Sequence, residues 1–137
     1  MPTAFPPEDF LAIATTMRSG SSVLSTEVRW RTVCGRAYYA AYKATSNAIC
    51  ELYGFKLDSA MPHETMCHTL ASVKGDPEVR DLGNALNTLR LRRVHADYHL
   101  DRPFTKVLEK EALEDSGSAL EALKLVKSRL PKVTPTW

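Results

Sequence analysis

Trp30, Val33, Ala37, Ala41, Ala44, Ala48 and Leu52 recur every three or four residues through roughly six helical turns. That period predicts one long amphipathic helix, beginning near residues 24–26 and ending where Gly54 follows Tyr53 as a C′ glycine. Four of the seven stripe positions are alanine, so another helix can approach this one closely. Tyr38, Tyr42 and Ile49 form an adjacent stripe and widen the apolar face. Aromatics at this spacing read first as core or interface; Arg36, Tyr38 and Tyr39 are also candidates for a site.

The segments around this helix carry helical signals too. Pro6 and Pro7, followed by Glu8 and Asp9, suit a helix start, and Phe10, Ile13, Ala14 and Met17 continue it until the Ser19-Gly20-Ser21-Ser22 break. Residues 55–61 read as a loop, after which Pro62 opens a short helix with Met66, Leu70 and Val73. Lys74-Gly75-Asp76-Pro77 is a stop followed by a start, with Asp76 as N-cap and Pro77 at N1. Val79, Leu82, Leu86 and Leu89 then face inward. Thr105 caps a last helix with the stripe Leu108, Ala112, Ala119, Leu123, Val126 and Leu130, and Gly117 is a weak point within it. No alternating pattern or Asn-Gly hairpin signal appears, so the expected fold is all-α: an antiparallel bundle of four to five helices. The 137 residues suit one domain, with 131–137 as a short tail.

Composition excludes more than it selects. A net charge of +2 does not by itself call for nucleic acid. Cys34, Cys50 and Cys67 have no CxxC spacing and read as free thiols of a reducing cytosol. His63 and His68 are five apart, about 140° around a helix, and do not face one metal. Neither metal nor cofactor is expected. The start of the sequence lacks a signal-peptide pattern and no apolar run is long enough to span a membrane, so a soluble, cytoplasmic protein is expected.

The chemistry-bearing stretch is residues 89–100, Leu-Arg-Leu-Arg-Arg-Val-His-Ala-Asp-Tyr-His-Leu. The inward stripe continues through Arg93, Ala96 and Leu100, so arginine stands where an apolar residue is expected. Arg93 and Asp97, four apart, can pair, and Tyr98 can join them, tying this helix to the long one through Arg36 or Tyr39. Arg92, His95 and His99 fall on a second face, which reads as outward and chemistry-capable. Histidine exchanges protons near neutral pH and arginine holds phosphate bidentately, so arginine plus histidine without a carboxylate cluster suits metal-independent RNA cleavage. Between Arg90 and Lys106 stand five basic residues and two acids, an excess that attracts phosphate.

Arg36-Ala37-Tyr38-Tyr39-Ala40-Ala41-Tyr42, followed some fifty residues later by Arg93-Val94-His95-Ala96-Asp97-Tyr98, resembles the HEPN domain family, in particular its small stand-alone members with "RAYYA" and "RxxADY" helices. The resemblance covers most of the chain. It implies a dimeric helical bundle with the basic helix of each protomer near the dimer cleft. It also implies a metal-independent ribonuclease of toxin or defence type, often accompanied by an antitoxin or nucleotidyltransferase-like partner. The family's arginine–histidine motif can be set here as Arg93–His99, Arg90–His95 or Arg92–His99. The "RxxADY" frame favours Arg93 as the phosphate-stabilising residue, with His99 or His95 as general acid/base and Asp97, Tyr98, Arg90 and Arg92 in support. In that frame Tyr98 occupies a histidine position and Val94 replaces a polar residue, which motivates the alternative: a non-catalytic HEPN binding subunit contacting a nucleotide or a nucleotidyltransferase-like partner. A third option is a structural dimer module associating through the alanine- and tyrosine-rich helix.

Overall fold

Alternation of helical apolar stripes with glycine, proline and capping residues fixes where each element begins and stops. The computed structural model describes residues 26–57, 59, 61–99 and 104–135. They form four helices: α1 (Thr26–Tyr53), α2 (His63–Ala71), α3 (Pro77–Tyr98) and α4 (Lys106–Val126), with no strand among the described residues. The helix expected over residues 10–17 lies outside the described residues. Gly54 ends α1 in the left-handed region at φ +76°. The Asp76 carboxylate accepts from the Val79 N–H at 3.3 Å and the Thr105 hydroxyl from the Leu108 N–H at 3.3 Å, so both predicted caps form.

The three long helices alternate in direction. Arg31, near the start of α1, donates to the Ala96 carbonyl near the end of α3, and Arg129, just past α4, pairs with Asp76 at the start of α3. The Ser116 hydroxyl in the middle of α4 donates to the Ala37 carbonyl at 2.6 Å, fastening α4 alongside α1. Val33, Ala37, Ala41, Ala44 and Ala48 are buried, as the alanine stripe requires; in the last turn Ile49 and Cys50 take over the buried side and Leu52 is exposed. Val79, Leu82, Leu86, Leu89 and Ala96 of α3 and Ala112, Ala119, Leu123 and Val126 of α4 complete the core, and Leu130 and Val133 close it from beyond α4.

The loop after α1 doubles back, so that α2 starts near the middle of α1 and runs along α3. Tyr42 holds this return by donating its hydroxyl to the Met61 carbonyl at 2.7 Å. At its far end α2 presses on Gly83 of α3, where a Cβ would lie 2.3 Å from the Ala71 nitrogen. Glycine here is a packing requirement, since any side chain would push the two helices apart. No helix of the described residues is long and apolar enough to cross a membrane.

Candidate functional site: an arginine-lined groove

The doubling-back of the loop opens a cavity of about 650 Å³ between α1, the start of α2 and the last turns of α3. A volume in this range accommodates a nucleotide-sized ligand. From α1 it is lined by Gly35, Arg36, Tyr38 and Tyr39, from α2 by His63 and Glu64, and from α3 by Arg90, Arg93 and Asp97. Both motif stretches of the sequence therefore meet in one groove.

Helical spacing explains the α3 contribution. Arg90, Arg93 and Asp97 are three and four residues apart and share one flank of the helix. Arg93 Nε and Asp97 Oδ2 are 2.8 Å apart, a half-exposed ion pair. The Tyr98 ring adds a cation–π contact at 5.6 Å from the Arg93 guanidinium, so Tyr98 holds the arginine by its face. Arg90 instead donates from Nε and Nη2 to the Asn87 amide oxygen, at 3.1 and 2.9 Å. It forms no ion pair among the described residues, so its charge is steadied by a neutral group and left uncancelled. Gly35 keeps the α1 wall low: a Cβ there would meet only Asp97 Oδ1, at 3.8 Å.

His63 is a groove residue that the sequence does not single out for this role. By spacing it is only half of a histidine pair that does not face one metal, whereas in the structure its ring stacks on Tyr42 with centroids 3.9 Å apart and planes 16° from parallel. Its Nδ1 is 2.5 Å from the Tyr38 hydroxyl. Burial, followed by the positive charges of Arg93 and Arg90, lowers the His63 pKa below its ordinary 6.5, so the ring is neutral at neutral pH. Burial above all pushes the Tyr38 phenol well above its usual value, and the phenol stays protonated. A protonated phenol beside a neutral imidazole donates to Nδ1, which leaves Nε2 as the N–H that a ligand can use. The signal in the sequence was only that His63 follows the helix-opening Pro62; nothing local pointed to Tyr38, twenty-five positions earlier.

The remaining predicted site residues lie elsewhere. Arg92 is an interhelical tie: Nη2 is 3.1 Å from Glu111 Oε2 and Nη1 pairs with Asp115, both on α4. The expected outward face of Arg92, His95 and His99 is corrected accordingly, because α4 covers the Arg92 side of α3. The companion expectation of an inward Arg93–Asp97–Tyr98 set is corrected too, since Asp97 and Tyr98 are exposed and only Ala96 of that turn is buried. His95 and His99 do not line the groove. Their rings are 6.4 Å apart at the end of α3, and His95 meets Phe104 edge-on. Arg31, which sequence reasoning also missed, is buried beneath them and donates from Nη1 to the carbonyls of His95, Ala96 and His99 at 3.2, 3.0 and 3.4 Å. It serves as a side-chain cap at the helix end, where the His95 carbonyl also accepts from the His99 N–H at 3.2 Å.

Among the described residues no group of His, Cys, Asp and Glu could hold a metal ion. All three cysteines are free and buried, with burial pushing Cys34 up to about 12 and Cys67 up to about 11. Together these features define, among the described residues, a helical bundle with a cationic, tyrosine-walled groove. No family model matches the chain, and no curated protein or solved structure matches it either.

Proposed function

We propose that this chain is a HEPN-type RNA-binding protein that takes RNA backbone phosphates in the groove between α1, α2 and α3. The observation that carries this reading is the convergence of Arg36, Arg90 and Arg93 on one groove whose walls include Tyr38 and Tyr39. Guanidiniums hold phosphate oxygens bidentately, and an exposed tyrosine ring gives an unpaired base a face to stack on. A homodimer, and an antitoxin or nucleotidyltransferase-like partner, belong to the same reading and rest on the family resemblance. Arg93→Gln and Arg90→Gln should each weaken binding of a single-stranded RNA several-fold, measured by fluorescence anisotropy at fixed salt. Wild-type protein that binds no RNA at low salt would end this reading.

A second reading is metal-independent cleavage by the dimer, with Arg93 steadying the phosphate and His99 or His95 moving the proton. The closeness of the two histidine rings at the end of α3 favours it. Because neither lines the groove beside Arg93 in one protomer, this version needs a second copy to bring them together. Incubating RNA with wild type and a His95→Ala/His99→Ala variant in EDTA separates the two readings: cleavage by wild type alone supports the nuclease, and intact RNA with both supports binding only.

A further inference from the structure

The groove is not uniform along its length. At its α2 end three donors meet: the uncancelled Arg90 guanidinium, the Asp97-paired Arg93, and His63. The imidazole is fixed in place on both sides, by the stack on Tyr42 and by the bond from Tyr38 to Nδ1. Its Nε2 has no hydrogen-bond partner among the described residues. A ring this firmly held, with its second nitrogen unengaged, is preorganised toward the groove and loses little freedom on binding.

Charge then selects the ligand. Arg36, Arg90 and Arg93 stand against Glu64 and Asp97, an excess of one positive charge with His63 neutral and two with it protonated. An internal phosphodiester carries a single negative charge, which the arginines already match. A terminal phosphate carries about −1.5 to −2 near pH 7 and offers three acceptor oxygens. We propose that the α2 end of the groove is a subsite for a terminal phosphate, on an RNA end or a mononucleotide, held by Arg90, Arg93 and His63.

The groups around the imidazole are consistent with that assignment. Tyr38 and Tyr42 face it from α1, Arg90 and Arg93 from α3, and Glu64 and Cys67 stand on its own helix. Burial, and then the two arginines, oppose a proton on His63. A dianion seated between them reverses that local field, so the ligand brings the third positive charge with it by favouring imidazolium. Binding of a terminal phosphate and protonation of His63 are therefore linked. This inference rests on the RNA-binding reading for its larger ligand but not for the mononucleotide.

The test compares one short single-stranded RNA bearing a 5′-phosphate, a 3′-phosphate or hydroxyls at both ends, together with AMP, on the full chain near pH 7. Expected is about tenfold tighter binding of at least one phosphorylated end than of the hydroxyl-ended RNA, the scale of one added charge-assisted hydrogen bond. His63→Gln should bring that preference to within twofold. Imidazole resonances of the wild-type protein, with His63 assigned by through-bond correlation to its backbone, should show the His63 titration midpoint moving up with the phosphorylated ligand and not with the hydroxyl-ended one, a readout that does not need the variant to fold. Equal affinity for all three RNAs with an unmoved His63 midpoint overturns the subsite and leaves the RNA reading standing. AMP binding without RNA binding supports the subsite and overturns the RNA reading, and binding of neither overturns both.

Discussion

Two glycines on helices make opposite demands. Gly83 sits where α2 leans on α3, and its missing Cβ would lie 2.3 Å from one backbone atom and 2.7 Å from another. Backbone cannot rotate away as a side chain can, so Gly83→Ala should destabilise the fold by about 1–3 kcal/mol through overpacking. Gly117 on α4 has nothing within 4 Å of its Cβ position. Gly117→Ala should therefore stabilise by up to ~1 kcal/mol through helix propensity alone. Urea unfolding of the two variants checks both signs at once, and a stable Gly83→Ala would mean that α2 is not seated as described. The cysteines give a second residue-scale expectation. With Cys34 and Cys67 buried and their thiols pushed to about 12 and about 11, neither presents a thiolate near neutral pH. An aromatic disulfide reagent should find them unreactive in the native protein and titrate all three thiols of the chain after unfolding.

At the scale of elements, α3 has to be read as a helix with three neighbours. One flank faces α1 and α2 across the groove, another meets α4, and its last carbonyls receive Arg31. Arg92 and Arg93 are adjacent in sequence yet belong to different flanks, which gives a separable pair of outcomes. Arg92→Gln should cost about 1 kcal/mol, since Glu111 and Asp115 are partly exposed, and leave RNA affinity alone. Arg93→Gln should weaken RNA binding with little change in stability. Arg31→Met should cost about 2–3 kcal/mol, because it leaves three carbonyls without their charged donor. Thermal unfolding and anisotropy on the same preparations distinguish all three. The helices themselves were legible in the sequence: the apolar period, Gly54, Asp76-Pro77 and Thr105 set their limits, because those signals act within a turn of the chain. The flanks of α3 were not, because periodicity separates buried from exposed but cannot tell which of several neighbours covers a face. Arg36, Tyr38, Tyr39, Arg90, Arg93 and Asp97, all site candidates by sequence, meet in the groove. His63 is not legible in the sequence because its partners, Tyr38 and Tyr42, come from another helix, and nothing local ties either ring to it.

For the whole molecule, the coupling of that histidine to folding sets a pH response. The unfolded chain carries His63 with its ordinary pKa of 6.5, while in the fold burial first, then Arg93 and Arg90, hold it lower. The unfolded state therefore binds the proton first as pH falls, and stability rises with pH wherever it does so. The neutral ring's contribution is complete above about 6.5 and is lost progressively as pH drops from there toward the lower folded value. Asp76 acts further down the scale. Its hydrogen bond from Arg129 holds its carboxyl below the ordinary 3.8, so its contribution survives until strongly acid pH. Between about pH 7 and about pH 5.5 the His63 effect can thus be read apart from that carboxylate. Urea midpoints across this window should fall for wild type, and the fall should be shallower in His63→Gln, which has no proton to gain. Saturating AMP should flatten the wild-type slope in the same window, because a phosphate between Arg90 and Arg93 offsets the two positive charges that add to burial in holding the His63 pKa down. An identical slope for wild type and His63→Gln would place the acid sensitivity on other groups and would separate the histidine from the stability of the groove.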